Sequence, residues 1–203
     1  MSKYRQSRFK AMVIVIMAAL ILSACGQPPH EFTGKVLEGD LVAYNLTGSD
    51  TDGRIFQLND HKGKYVLINF GYTFCPDICP LTLSELASFY NQLDADQAKQ
   101  VEVVFVTVDP ERDTPEQLAV YMDVFHEDFH GIYIDNPDTL DLTKKAYSVF
   151  AEKNLATADD ENYLVDHTGG VYVINPDGQF ELFFPHDAKA DAIFADVNYL
   201  LGG

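Results

Sequence analysis

The stretch Tyr65-Val-Leu-Ile-Asn-Phe-Gly-Tyr-Thr-Phe-Cys75-Pro-Asp-Ile-Cys79-Pro80 decides the fold, because an apolar run changes there into a helical pattern. Residues 65–71 are nearly all apolar, which is typical of a strand that is buried on both faces. After this strand, apolar side chains recur at the spacing of an amphipathic helix, at Leu83, Leu86, Phe89, Tyr90 and Leu93. Cys75 is therefore predicted at the carboxyl end of a buried strand, and Cys79 at or just before the first turn of the helix.

Two short segments upstream of this strand, residues 41–46 and 54–58, alternate apolar and polar residues. They lie on either side of Gly48-Ser-Asp-Thr-Asp-Gly53, so they predict a β-hairpin whose tip is a polar turn. Residues 27–39, which include Pro28 and Pro29, are predicted to form a tether ahead of the folded domain.

Strand and helix patterns alternate downstream of the first helix. Residues 101–108 form a second apolar run, and Thr114, Pro115 and Gln117 have the pattern of a helix start with a capping box. This helix is expected to extend to about His126, and it is followed by a predicted strand at residues 131–134. Asn136-Pro-Asp138 then leads into a further helix, which is predicted to end near residue 150.

The chain ends in a predicted hairpin and a helix. Asn175-Pro-Asp-Gly178 is a strong turn signal between apolar runs at residues 171–174 and 180–184, and residues 187–201 have the pattern of a closing helix. His167 lies just ahead of the first of these strands. Together the elements predict an α/β thioredoxin-like fold, in which helices flank a central mixed sheet and the upstream hairpin is an N-terminal extension.

The first residues are typical of an export signal, because four basic residues precede the apolar stretch at residues 11–22. That stretch is shorter than the roughly 20 residues needed to span a bilayer, and Leu22-Ser-Ala-Cys25 resembles a lipobox. We therefore predict a lipoprotein signal peptide at residues 1–24, a lipidated N-terminus and tether at 25–39 with Cys25 as the acylated residue, and a domain at 40–203. The alternative is an uncleaved anchor helix; in both cases the domain is extracytoplasmic and membrane-anchored, on the periplasmic side or the outer face of the cell membrane.

The chain is strongly acidic. Removal of the four basic residues of the leader, with no acidic residue among them, changes the formal net charge from −17 to −21. Such a charge excludes nucleic acid as a partner, and it means that contact with an anionic membrane must come from the acyl chains. A monomer is the default expectation, because the sequence has no obvious apolar surface stripe.

Two cysteines at positions i and i+4 near a helix start lie on one face, roughly 5 to 6 Å apart at Cβ. This spacing permits a reactive thiol pair, a metal site or a structural disulfide. A bridge that encloses so few residues removes little chain entropy from the unfolded state, so a purely structural disulfide is the least favoured of the three. A helix N-terminus lowers thiol pKa values, but metal binding and disulfide exchange both need the thiolate, so this effect does not separate them.

Three motifs, which follow one another along the chain, together give a specific resemblance to a known family. They are Phe70-Gly-Tyr-Thr-Phe-Cys-Pro-Asp-Ile-Cys-Pro80, then Val106-Thr-Val-Asp-Pro-Glu-Arg-Asp-Thr-Pro115, then Val165-Asp-His167 ahead of a strand and Asn-Pro-Asp-Gly. In these motifs the chain resembles the Sco (SenC) family of copper-binding cytochrome c oxidase assembly proteins, over roughly residues 30 to 203. Phe74 departs from the family pattern, which often has a different residue beside the first cysteine.

The resemblance implies that Cys75, Cys79 and His167 bind one copper ion, as Cu(I) or Cu(II). It implies a copper chaperone, rather than an enzyme, that assists assembly of the copper A centre of cytochrome c oxidase, with the copper A subunit and other copper chaperones as partners. Two thiolates and an imidazole suit Cu(I), and they hold Cu(II) with an added oxygen ligand. Asp109 and Asp166 are candidates to orient His167 or a partner's ligands, while caps and turn acids are an equally open interpretation.

The alternative function is a thiol-disulfide oxidoreductase, in which Cys75 attacks a disulfide and Cys79 resolves the mixed disulfide. Such enzymes usually have Cys-x-x-Cys and a cis-proline loop that faces the thiols. Here the spacing is longer and no proline occurs between Pro137 and Pro176, so His167 is expected in the place of that loop. A peroxiredoxin is a weaker possibility, because the threonine before Cys75 is one residue too close and no positioned arginine is evident.

The remaining histidines show no cysteine or histidine at metal spacing, apart from His126 and His130. Their i, i+4 separation could chelate a metal on a helix. Gly131 follows at once and indicates a fraying helix end, so the sequence predicts a surface pair instead.

Overall fold

The structure is a computed structural model that describes residues 30–154 and 162–203, and residues Phe32–Gly203 form one compact unit. The strands are β1 (Lys35–Val36), β2 (Thr47–Asp50), β3 (Ile55–Gln57), β4 (Tyr65–Gly71), β5 (Val101–Thr107), β6 (His130–Tyr133), β7 (Ala151–Asn154), β8 (Leu164–His167), β9 (Val171–Ile174) and β10 (Phe180–Phe184). The helices are α1 (Ile78–Tyr90), α2 (Ala95–Ala98), α3 (Pro115–Asp123), α4 (Pro137–Ala146) and α5 (Ala190–Leu200), and a short 3-10 helix covers Leu58–His61.

Eight strands form one mixed sheet in the order β1-β10-β9-β4-β5-β6-β2-β3. The strands β4, β5 and β6 are parallel to one another, and β9 lies antiparallel to β4 on its other side. Strand β4 is buried from Val66 to Gly71, as expected for a central strand with helices packed on the sheet. The predicted α/β thioredoxin-like fold is confirmed.

The core lies between the sheet and its helices. On α1 the predicted apolar face is buried, since Leu83, Leu86 and Phe89 have no exposed surface. This helix packs beside α5, while α3 contacts β6. Full burial of one such side chain stabilises the fold by about 1.5–3 kcal/mol, so this face fixes the position of α1 and of Cys79 in its first turn.

The second strand of the predicted upstream hairpin is confirmed by β3, but the predicted position of the first strand is wrong. The first strand of the hairpin is β2 (Thr47–Asp50), most of which the sequence pattern assigned to the turn, and it pairs with both β3 and β6 near one side of the main sheet. Gly48 explains the difference, because a Cβ at this position would lie 2.6 Å from Ile132 Cγ2 and 2.7 Å from the Tyr133 carbonyl oxygen. Glycine serves here for close packing of two strands rather than for a turn.

Part of the predicted tether is folded. Strand β1 pairs antiparallel with β10, and the backbone N–H groups of Thr33 and Gly34 donate to the buried carboxylate of Asp196 at 2.9 and 2.8 Å. The compact unit therefore includes the residues from Phe32 onward. The predicted signal peptide and Cys25 lie outside the described residues. Within residues 30–154 and 162–203, no helix has the length and apolar character needed to cross a membrane.

The predicted helix starts at Thr114 and Asn136 are confirmed by their caps. The Thr114 hydroxyl accepts from the Gln117 backbone N–H at 3.2 Å, and the Asn136 side chain accepts from the Thr139 N–H at 2.9 Å. The helices end earlier than predicted: α3 stops at Asp123 and α4 at Ala146. Local sequence thus sets where these helices begin more sharply than where they end.

Candidate metal centre

The two cysteines lie where the chain passes from β4 to α1. A turn in which the Cys75 N–H donates to the Tyr72 carbonyl at 3.2 Å carries the chain away from the strand. The Cys79 N–H then points to Cys75 Sγ at 3.5 Å. Gly71 makes room for this arrangement, because a Cβ there would lie 2.7 Å from both Cys79 Sγ and a carbon of the Phe105 ring.

His167 approaches the thiols from the end of β8, just before β9. Its Nε2 atom lies 3.3 Å from Cys79 Sγ. The ligand atoms of Cys75, Cys79 and His167 all lie within 4.8 Å of one another. Among the described ranges, this is the only group of three or more His, Cys, Asp or Glu residues arranged so that all of them could hold one metal ion. Both cysteines are buried and unbridged, at 8% and 2% exposure, while His167 is half-buried. The sequence-predicted donors therefore meet at one partly open site.

The orientation of His167 comes from the backbone rather than from Asp166. Its Nδ1 lies 3.2 Å from the Val165 carbonyl, which can only accept, so the proton is assigned to Nδ1 and the Nε2 lone pair faces Cys79. Asp166 is exposed and contacts the Asn154 side-chain amide at 3.2 Å. Neighbouring residues of a strand point to opposite faces, so Asp166 does not contact the His167 imidazole, and its predicted role toward a partner's ligands stays a prediction.

Asp109 is buried near the site, but its contacts are with other residues. Its carboxylate accepts from Arg112 Nε at 2.7 Å and from the Tyr163 hydroxyl at 2.7 Å. No contact with His167 appears among the bonds of the described residues, and the predicted role of Asp109 in orienting His167 or a partner's ligands stays a prediction. Asp109 connects the loop after β5 to the start of β8.

The two thiols differ in acidity. The hydrogen bond from the Cys79 side chain lowers the pKa of Cys75 to about 5, against the opposing effect of burial and with help from the Asp77 and Cys79 N–H groups and His167. The same hydrogen bond, together with burial, raises the pKa of Cys79 well above its ordinary range. The metal-free site thus holds one thiolate and one thiol, and binding of a metal by both sulfurs releases a proton.

A charged cluster at the other end of the sheet was missed by sequence reasoning. His130 begins β6, and its Nδ1 and Nε2 lie 2.6 Å from Asp50 and 2.9 Å from Glu102. Lys64 and His61 also approach Glu102. Burial lowers the pKa of His130, but the bonds to both carboxylates outweigh it and raise the pKa to about 9. The helix α3 ends before His126, consistent with the fraying helix end that the sequence indicated, but His130 is half-buried and paired with carboxylates instead of lying on the surface. No local signal marks these partners, because they are distant in sequence.

Both the sequence and the fold of this chain are similar to those of known proteins. The SCO2-like protein of Rickettsia typhi is 32% identical over 188 residues, which cover 90% of this chain and 91% of that protein. The solution structure of apo Sco1 from Thermus thermophilus matches with a TM-score of 0.75 and 34% identity, over 86% of this chain and 99% of that one. Copper-bound ScoI from Bradyrhizobium japonicum matches with a TM-score of 0.70 and 31% identity, over 78% and 98%. The family model for SCO1/SenC matches residues 38–202, and the chain belongs to this family.

Proposed function

We propose that this protein is a copper chaperone that binds one copper ion through Cys75, Cys79 and His167. The proposal rests on one observation, the set of two thiols and an imidazole whose ligand atoms lie within 4.8 Å of one another. Thiolates and imidazole suit Cu(I), and with an added oxygen or water ligand they also hold Cu(II). Copper as the metal is supported by the copper-bound ScoI of Bradyrhizobium japonicum.

Each donor has a separate task in copper uptake. Cys75 is already a thiolate near neutral pH and takes the ion first, because its pKa is about 5. Cys79 loses its proton on binding, and His167 offers the Nε2 lone pair that its bond to Val165 has fixed. Three protein ligands leave a position open, through which a ligand of the recipient protein can displace them one at a time. Copper is cargo in this scheme.

The recipient that we propose is the copper A centre of cytochrome c oxidase, with other copper chaperones as donors. Membership of the SCO1/SenC family supports an oxidase partner. We further propose that the protein is an extracytoplasmic lipoprotein whose acylated Cys25 holds the domain at the membrane surface. Mass spectrometry of the purified membrane form tests this point, because cleavage before Cys25 and two or three acyl chains have a defined mass.

The deciding experiment is a copper titration of the reduced full-length protein in detergent. We expect intense thiolate-to-Cu(II) charge-transfer absorption that saturates at one ion per chain. His167→Ala is expected to change the spectrum and weaken binding, while His186→Ala, which removes an exposed histidine outside the cluster, leaves both unchanged. Unchanged spectrum and affinity in His167→Ala would show that the assignment of three ligands is wrong.

The second candidate is a thiol-disulfide oxidoreductase, favoured by the two adjacent free thiols Cys75 and Cys79. In that reaction Cys75 attacks a substrate disulfide, and Cys79 displaces the substrate thiol as the intramolecular disulfide forms. The site differs from such enzymes because His167, rather than a cis-proline, faces the thiols. Turnover of a generic disulfide by the copper-free protein at a thioredoxin-like rate, without copper affinity, would favour this candidate over the chaperone.

A further inference from the structure

His167 lies outside the main sheet. Strands β7 and β8 form a two-stranded sheet of their own, in which Ala151 pairs with His167, and neither strand pairs with the eight-stranded sheet. The cysteines, in contrast, follow the central strand β4. Apart from the short link at residues 168–170 to β9, the distance between His167 and the thiols therefore depends on side-chain contacts that join this small sheet to the rest of the domain.

Arg112 makes the most extensive of these contacts. Its Nη1 donates to the Tyr163 carbonyl at 2.8 Å, and its guanidinium carbon lies 3.6 Å from the centroid of the Tyr163 ring. Its Nε donates to Asp109, and the Tyr163 hydroxyl donates to the second oxygen of the same carboxylate. Tyr163 directly precedes β8. Arg112 and Asp109 thus hold the residue before β8 through its backbone, its ring and its hydroxyl.

Tyr72 carries this contact network to the ligand itself. Its hydroxyl accepts from the Val165 N–H at 3.1 Å, and its ring lies edge-on to the His167 imidazole with the centroids 5.5 Å apart. The Arg112 guanidinium carbon is 5.7 Å from the centroid of the Tyr72 ring and 4.8 Å from that of Phe74. One guanidinium therefore contacts both the loop that contains Cys75 and the segment that leads to His167.

The same loop also holds the cysteine segment. The fully buried carboxylate of Asp113 accepts from the Thr73 N–H, from the Thr73 hydroxyl at 2.6 Å and from the Thr107 hydroxyl at 2.6 Å. Residues 109–113 thus bind the segment before Cys75 on one side and the segment before His167 on the other. The loop after β5 is the physical link between the two halves of the metal site.

We propose that Arg112 is a positioning residue that sets the distance between His167 and the two thiols, an inference that rests on the proposed copper function. Arginine is suited to this position because its planar group donates to a carboxylate and a carbonyl while it stacks on an aromatic ring. Lysine offers a point charge and cannot make these three contacts at once. Arg112→Lys is therefore expected to restore little of what Arg112→Met removes.

The main test is a double-mutant cycle of copper affinity and Cu(II) spectrum between Arg112→Met and His167→Ala. Loss of correct ligand position is expected to weaken copper binding about 10- to 100-fold and to shift the charge-transfer spectrum toward that of His167→Ala. In the His167→Ala background, Arg112→Met should change neither quantity, because there is no ligand left to position. Equal weakening in both backgrounds would overturn the proposal, since it would show general damage to the cysteine segment. Arg54→Met removes an exposed arginine paired with Asp52 and is the matched control.

Two further measurements distinguish the proposed role of Arg112 from a folding defect and from failure of the proposed copper function. Arg112→Met leaves Asp109 as a buried unpaired charge, so Arg112→Met/Asp109→Asn is tested beside it as a variant without that charge. Amide hydrogen exchange of the copper-free protein gives a metal-independent readout: faster exchange at Val165 with unchanged exchange in β4 and β5 supports the proposal, and unchanged exchange at Val165 overturns it. A wild-type protein that binds no copper would refute the proposed function alone, because the exchange experiment still reports the position of β8.

Discussion

The charged cluster around His130 makes stability depend on pH in a direction that can be worked out. The pKa of this imidazole is about 9 in the folded protein and about 6.5 when it is unfolded. Since the folded pKa is the higher one, the protonated cluster stabilises the fold fully below pH 6.5, and this contribution is lost as the pH rises through 9. At about 1.4 kcal/mol for each pH unit, the difference corresponds to about 3 kcal/mol at most.

We predict that His130→Gln abolishes this dependence. The perturbation removes the cation between Asp50 and Glu102. In the wild type, burial raises the pKa of Glu102, but its hydrogen bonds to His130, His61 and Lys64 outweigh burial and lower the pKa, so an ionised carboxylate faces the imidazole throughout the range measured. Urea unfolding of wild type and variant is measured from pH 6 to 9.5. The difference in unfolding free energy between them should be about 2–3 kcal/mol at pH 6 and should shrink toward zero near pH 9.5.

The wild type must be compared with His130→Gln because Cys75 also titrates in this pH range, and its contribution to stability changes with pH in the opposite direction. Its folded pKa of about 5 lies below its ordinary value of 9.0, so its contribution is present above pH 9 and is lost as the pH falls through 5. The metal site lies at the other end of the sheet, so this contribution cancels in the difference. His186→Gln, at an exposed position, is the control. A difference that stays constant with pH would refute the assignment of a charged imidazole between two carboxylates.

Three further predictions concern packing, two of them around the site and one far from it. Gly71→Ala brings a Cβ to 2.7 Å from Cys79 Sγ, so it should lower the free energy of unfolding by about 1–3 kcal/mol and weaken copper binding. Unchanged stability and unchanged copper affinity would contradict the packing of Cys79 on this glycine. Gly48→Ala is equally crowded but distant, so urea unfolding should show a similar loss while the copper spectrum stays unchanged. Asp113→Asn replaces one of the two carboxylate oxygens that accept three hydrogen bonds with an NH2 group, which can only donate. It should destabilise the protein by about 1–3 kcal/mol, with faster amide exchange at Thr73 as its local sign.

The parts of the fold that sequence predicts well are those set by local pattern. Strand β4 and the buried face of α1 follow from the apolar run at residues 65–71 and from the helical spacing after it, and Thr114 marks a helix start by its own hydroxyl. Strand β2 was placed wrongly because glycine is a turn residue by local statistics, and only contact with β6 shows why it belongs in a strand. Local chemistry does not carry information about a partner strand more than eighty residues away.

The same distinction explains the site. The ligand residues could be named because their types have few alternatives: two thiols and a histidine in a recognisable sequence context. Asp109 could be named as a candidate but not its contacts, and Arg112 could not be named, because it belongs to a loop of ordinary polar composition and its partner Tyr163 is about fifty residues away. Asp166 shows the converse case, in which adjacency in sequence suggested a contact that the alternation of a strand forbids.

The convergence of the three donors has a topological cause. Strands β4 and β5 are parallel, so the cysteine segment after β4 and the loop after β5 necessarily leave the sheet at the same edge. Strand β9 runs antiparallel to β4 with Val171 opposite Asn69, so the residues that precede β9 arrive at that same edge. The Asn69 side chain fixes this register by donating to the Gly170 carbonyl at 2.8 Å. His167 lies a few residues earlier and therefore meets the thiols because of the directions of these strands. The same strand directions place the loop after β5 beside both the cysteine segment and the segment that leads to His167, and this position allows Arg112 to contact both.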